Sequence, residues 1–164
     1  MVKCSAPPTL KYVSFPFEEI KIYKGEGSVN LIAYYPYALS TQNVNFGTGT
    51  EQQLNNIGDI VTPIKIYYSI NSDNSNINLA LTTNQKSTGT LNIENIQKVS
   101  NNDVYLCIDM RTHLIEGLNS SFQKNGTLYN KFITSGDFFD LPLGKSTLTS
   151  NVAWHSIKFN YLYY

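Results

Sequence analysis

Apolar and polar positions alternate with a period of two along most of this chain. From Pro63 to Ile70, the residues Ile64, Ile66, Tyr68 and Ile70 fall on one side, and from Asn76 to Thr82, Ile77, Leu79 and Leu81 do the same. Leu91 and Ile93 follow a strand opening at Gly89, and Val104, Leu106 and Ile108 follow the turn formers Asn101-Asn102-Asp103. Arg111 to Gly117 and Leu128 to Thr134 read as less regular strands, and Asn125-Gly126, between Phe122 and Leu128, predicts a hairpin turn. The chain closes on Ile157, Phe159, Tyr161 and Tyr163 alternating with Ser156, Lys158, Asn160 and Leu162, which predicts a C-terminal strand pinned inside a sheet. Period two marks strands with one buried face, and the breaks fall at Asn, Asp, Gly and Pro, which favour turns. Seven to nine strands, with no helical period and no internal repeat, predict an all-β fold: an antiparallel β-sandwich.

The first forty residues pattern as a separate unit. Tyr12, Val13, Phe15 and Phe17 read as strand, Ile20 and Ile22 alternate with Glu19 and Lys21, and Gly25-Glu26-Gly27 turns the chain into Val29 to Tyr35, stopped by Pro36. Two or three strands do not stand alone in water. Residues 1–40 are therefore expected to be a short β-hairpin unit that docks on the rest of the chain or on another copy. Residues 41–59 are rich in Asn, Gln, Thr and Gly and are expected to be a linker or long surface loop. Residues 60–164 hold the sandwich.

Composition adds to the β bias. Charged residues are only 15% of the chain, so the polar positions are filled by Asn, Thr, Ser and Gln, beside 12 Tyr and 8 Phe. The net charge is zero and no basic stripe appears, which argues against nucleic acid as a partner. No apolar run has the length of a membrane-crossing helix, and the opening MVKCSAPPTLKY lacks the apolar core of a signal peptide, so synthesis in the cytoplasm is expected. Cys4 and Cys107 are too few and too far apart for a disulfide framework, and Cys107, within YLCID, is expected to be an inert buried thiol.

Residues suited to catalysis or metal binding are sparse. His113 and His155 are in no metal-ligand spacing, and Ser156 beside His155 would point to the opposite face of a strand. Asp137 and Asp140 flank Phe138 and Phe139 and raise the idea of a glycosidase pair, against the simpler reading of Asp137 as a turn former after Gly136. Asp73 in NSDNS lacks the rest of a calcium loop. Trp154 is the candidate for stacking on a sugar, against the simpler reading of a packed aromatic. Asn119-Ser-Ser and Asn125-Gly-Thr match a glycosylation pattern that has meaning only on a secretory route. No catalytic residues, metal ligands or cofactors are expected, and the chain reads as a binding or structural module and not as an enzyme.

Several pieces together resemble the distal tail protein family of siphophages. Val29 to Leu39, VNLIAYYPYAL, is similar to the end of that family's N-terminal domain, with Tyr35 where an Asp usually precedes the proline. Asn55 to Tyr67 resembles the opening of its C-terminal domain, and Val104 to Asp109 followed by Arg111 resembles its apolar-x-Ile-Asp strand. Asn125-Gly-Thr-Leu-Tyr and Gly136-Asp-Phe-Phe-Asp-Leu-Pro-Leu-Gly resemble its hairpin and the loop before the last strands. The resemblance implies a virion protein of the tail tip or baseplate, joining the tail tube to the host-adsorption device by protein–protein contacts, typically as a hexameric ring. It also implies that residues 60–164 form a galectin-like, jelly-roll-type sandwich preceded by the end of an N-terminal ring-forming domain. Its partners would be other copies of the chain, the tail tube and a tail-associated lysin. Ile20, Ile22, Tyr23, Tyr34, Tyr35 and Tyr37 are the candidates for subunit contacts, chosen for their aromatic density beside the expected linker. The alternatives are a module that recognises a bacterial wall polysaccharide through Trp154, and a glycan hydrolase built on Asp137 and Asp140.

Overall fold

The computed structural model describes residues 38–70, 75–84 and 86–163. Residues 1–37, with Cys4 and all six candidate contact residues, lie outside that set, as does Asp73.

Two antiparallel sheets face each other. The larger has six strands, in the order β1 (Ala38–Phe46), β13 (Ser156–Tyr163), β4 (Lys65–Ser69), β7 (Tyr105–Asp109), β8 (Leu114–Leu118) and β9 (Lys124–Leu128). The smaller has five, in the order β10 (Ile133–Gly136), β6 (Lys86–Ile96), β5 (Ser75–Thr83), β12 (Gly144–Trp154) and β2 (Gly49–Asn56). A two-residue ladder joins β3 (Thr62–Pro63) to β11 (Asp140–Leu141), and one 3-10 turn spans Asn130–Phe132. The fold is the all-β sandwich that the period-two pattern predicts.

The inward faces are the expected ones. Ile66 and Tyr68 of β4, Leu106 and Ile108 of β7, and Ile157 and Phe159 of β13 meet Ile77, Leu79 and Leu81 of β5, Leu91 and Ile93 of β6, and Leu148 of β12 in one buried cluster. Each such side chain contributes roughly 1.5–3 kcal/mol by leaving water, and the two sheets bury them by packing face to face.

Four local expectations are corrected. Residues 41–59 are mostly strand and not a loop: β1 pairs with β13 and β2 pairs with β12, and among the described strands they end the two sheets. The turn between β8 and β9 is made by Asn119 to Gln123, where Phe122 N–H donates to the Asn119 carbonyl at 3.0 Å and Phe122 takes φ +59. Asn125-Gly126 instead lies inside β9, where Lys124 to Leu128 spans only Leu118 to Glu116 and Gly126 absorbs the irregularity at φ +75. Val104 is 37% exposed and precedes β7. The final strand changes phase: Ile157 and Phe159 point inward, but Leu162 is then the buried residue, with Tyr161 and Tyr163 only partly covered. Opposite this stretch β1 is irregular, with Leu39 to Asn43 spanning only Leu162 to Asn160.

Candidate functional site

The outward face of the six-stranded sheet holds the chain's polar chemistry. On β4, inward Ile66 and Tyr68 force Lys65 and Tyr67 to the outside. Register then builds two rows across the sheet. Asn45, Lys158, Lys65 and Asp109 stand side by side on β1, β13, β4 and β7. Ser156, Tyr67, Cys107 and Glu116 form the next row on β13, β4, β7 and β8.

The first row lines a groove of about 540 Å³ bounded by Asn43, Asn45, Lys65, Tyr67, Arg111 and Lys158. Lys65 Nζ lies 2.9 Å from Asp109 Oδ2, and the Arg111 backbone N–H donates to Asp109 Oδ1 at 3.0 Å. Burial pushes the Asp109 carboxyl up, but the Lys65 ammonium and the backbone donors outweigh it and hold the group below its ordinary value. Lys158 Nζ stands 5.1 Å from the centroid of the Tyr67 ring and 6.0 Å from that of Phe122. Lys65 thus pairs with the carboxylate, while Lys158 and Arg111 line the same groove.

Beside the groove is an aromatic cluster. Tyr105 stacks on Phe122 at 4.2 Å between centroids, Tyr67 meets Phe122 edge-on at 6.0 Å, and His155 tilts against both Tyr105 and Phe122. The second row is neutralised internally, since Lys124 Nζ pairs with Glu116 Oε2. Cys107 is 4% exposed, and burial pushes its thiol up to about 11, as expected of an unreactive sulfur.

The residues first suspected of chemistry are dispersed. His155 belongs to the aromatic cluster, whereas His113 stacks flat on Phe138 at 5.0 Å. The Asp137 carboxylate accepts the Phe138 N–H at 2.7 Å, a turn-forming bond, and Asp140 sits on the short ladder opposite Pro63. Trp154 has no exposed surface, and its Nε1–H donates to the Gly47 carbonyl at 3.0 Å, so its ring is closed to a sugar. Among the described residues no group of His, Cys, Asp and Glu is arranged to hold a metal ion. No described helix is long and apolar enough to cross a membrane. The groove residues escaped the sequence reading because Lys65, Asp109 and Lys158 lie 44 and 49 residues apart and meet only through strand pairing. The signal present was the outward position of Lys65 and Lys158 in two alternating strands.

These features define a class first: a two-layer antiparallel sandwich of six and five strands with a polar groove on the larger sheet. Among solved structures, that fold is shared with the Dit protein (gp 19.1) of SPP1, described as a paradigm of the hub adsorption apparatus of phages that infect Gram-positive hosts. The TM-score is 0.59 at 13% identity, over 80% of this chain and 50% of that one, so the chain spans half the length of the protein it matches. No protein-family model and no curated protein sequence matches the chain.

Proposed function

We propose that this chain is a structural component of a phage tail tip, one that links the tail tube to the host-adsorption device through protein–protein contacts. The observation that carries the reading is the fold shared with the SPP1 Dit protein over 80% of the chain. The ordered sequence pieces, from VNLIAYYPYAL to the Gly136-Asp-Phe-Phe loop, point to the same family independently of coordinates. On this reading the sandwich is the galectin-like C-terminal unit, where galectin-like describes a shape and not an activity. Because β1 and β2 belong to the sandwich, the ring-forming contacts fall to residues 1–37, with Ile20, Ile22, Tyr23, Tyr34, Tyr35 and Tyr37 as the contact set. The partners are other copies of the chain in a hexameric ring, the tube above and a tail-associated lysin below. The protein is made in the host cytoplasm and resides at the tip of the virion tail.

Mass photometry and negative-stain imaging of the purified chain test this. Closed rings are expected, and Tyr34→Ser with Tyr35→Ser should lower the assembled mass while the melting of the sandwich is unchanged. A wild-type chain that stays monomeric at every concentration would sink the ring; assembly indifferent to the double substitution would remove those tyrosines from the contact.

A further inference from the structure

Asn125-Gly126 reads as a hairpin turn but lies inside β9, and it is the only asparagine–glycine step in the chain. At such a step the next backbone nitrogen can attack the asparagine amide, because glycine has no side chain to block the approach. Here that approach is open. Gly126 is exposed, takes φ +75, and has nothing within 4 Å of where a Cβ would stand. The ladder to β8 is irregular between Lys124 and Leu128, and β9 ends the six-stranded sheet among the described strands. Water reaches the amide from an open hollow of about 440 Å³ that Asn125 lines together with Asn101, Asn102 and Asn119. The amide itself is held back. Its Nδ2 donates to Asp103 Oδ1 at 2.7 Å and to the Asn102 carbonyl at 3.2 Å. Both bonds fix the side chain against the Asn102-Asp103 turn, so its carbon turns toward the Gly126 nitrogen only when they open.

We infer that Asn125 is a site of spontaneous deamidation, latched by Asp103 in the folded chain, and that its reaction loosens β9. The Gly126 nitrogen gives up its proton and bonds to Asn125 Cγ. The Cγ–Nδ2 bond breaks, and Nδ2 takes a proton and leaves as ammonia. Water then opens the five-membered imide at either carbonyl, leaving an aspartate or an isoaspartate at position 125. One water is consumed, one ammonia is released, and the chain gains one negative charge. That charge arises where the fold tolerates it least. Asp103 has no exposed surface, and once the amide is gone Tyr129 O–H is the one remaining donor to its carboxylate. Two carboxylates at hydrogen-bond distance, one of them buried, do not both stay ionised. One binds a proton, or β9 moves off and opens the Asp103 site to water. The chemistry is independent of the tail-tip reading, since it needs only β9 and the turn before β7.

Ageing of the full 164-residue chain at mildly alkaline pH tests the site. Peptide mass mapping is expected to find the first conversion at Asn125, as a gain of about 1 Da divided between aspartate and isoaspartate. The same chain held in urea should convert there at least about tenfold faster, since unfolding releases the latch. Asn125→Asp reproduces one product and should lower the urea midpoint relative to wild type at about pH 7. The folded pair then holds a proton that the unfolded chain releases, so the deficit should close as the pH falls toward about 4. Asn125→Ala removes the same donor without adding a charge and should show a smaller deficit at neutral pH. First conversion at another asparagine, or equal rates in the folded and unfolded chains, would overturn the latched site. Asn125→Asp no less stable than Asn125→Ala at neutral pH would overturn the conflict with Asp103. So would failure of Asn125→Asp to fold at a low pH where the wild type folds, since its added carboxyl is then uncharged.

Discussion

Asp103 has no exposed surface, and two donors to its carboxylate make that burial tolerable. Tyr129 O–H donates to Oδ2 at 2.6 Å, Asn125 Nδ2 donates to Oδ1 at 2.7 Å, and the Val99 N–H in turn donates to the Tyr129 oxygen at 3.0 Å. Gly117 completes the enclosure, since a Cβ there would lie 2.6 Å from the carboxylate. Losing a donor to a buried carboxylate costs roughly 1–3 kcal/mol. Tyr129→Phe is therefore expected to lower stability by about that amount in urea denaturation, and a loss below about 0.5 kcal/mol would show that water replaces the phenol. Alkali acts on the same residue. Burial, and then the hydrogen bond to Asp103, push Tyr129 from its ordinary 10.0 up to about 12. The folded state thus holds the phenolic proton more tightly than the unfolded chain. The stabilisation it brings is complete below pH 10.0 and is lost as pH rises toward about 12. Denaturation midpoints across that window should fall more steeply for the wild type than for Tyr129→Phe. The sequence showed Asp103 only as a turn former, which it is, its N–H donating to Ser100. Its partners Asn125 and Tyr129 lie 22 and 26 residues on and meet it only once β9 has returned beside the turn.

Two chain crossings tie the sheets together. β1 passes to β2 at Gly47-Thr48, and β12 passes to β13 at His155, and the two crossings clasp each other. Trp154 Nε1–H donates to Gly47, Thr48 Oγ1 donates to the His155 carbonyl at 3.3 Å, and His155 N–H donates to the Tyr67 carbonyl at 2.6 Å. Removing the indole leaves a large void in this corner, so Trp154→Ala should cost about 3–5 kcal/mol. Urea titration checks it, and since Trp154 is the one tryptophan of the chain, its wild-type emission should be blue-shifted and should move to the red as the corner opens. Gly136 is a second fixed point: it takes φ +80, and a Cβ there would come 2.1 Å from the Thr90 carbonyl oxygen. Gly136→Ala should therefore destabilise by more than the roughly 1–3 kcal/mol of a strained backbone alone, measured by the same titration. The inner strands β4, β5, β6 and β7 were legible because their apolar positions alternate. β1 and β2 were not, because among the described strands they lie at the sheet edges. Of GTEQQLNN in β2 only Leu54 and Asn56 are buried, and the remainder faces water. Polar edges of this kind leave no hydrophobic period to read and discourage pairing with other chains. Asn56 shows how far polarity misleads here: its buried side chain donates to Ile60 and Leu141 and accepts from Gly58, tying the β2–β3 connection to β11 where the composition suggested a tether.

At the scale of the whole molecule, the C-terminal strand decides whether there are two sheets or one. β13 lies between β1 and β4, so among the described strands it is the only link from β1 to the remainder of the six-stranded sheet. It also places Ile157 and Phe159 in the inter-sheet cluster, and Lys158 in the groove on the opposite face. β12, in the other sheet, leads directly into it and pairs with β2 and β5. Without β13, β1 has no partner among the described strands and β4 has a bare edge beside β7. The core then loses residues that each contribute roughly 1.5–3 kcal/mol, against a total stability of about 5–15 kcal/mol for a domain of this size. Deleting residues 156–164 is therefore expected to abolish folding altogether, and not to leave a smaller sandwich. Circular dichroism and amide NMR of the shortened chain are the measurement: loss of dispersed amide resonances and of a cooperative melt is the expected result. A shortened chain that still melts cooperatively would mean that β4, β7, β8 and β9 pack on the five-stranded sheet by themselves. The order of pairing would then matter less than the cluster of Ile66, Leu106, Ile108 and Leu148 that both forms retain.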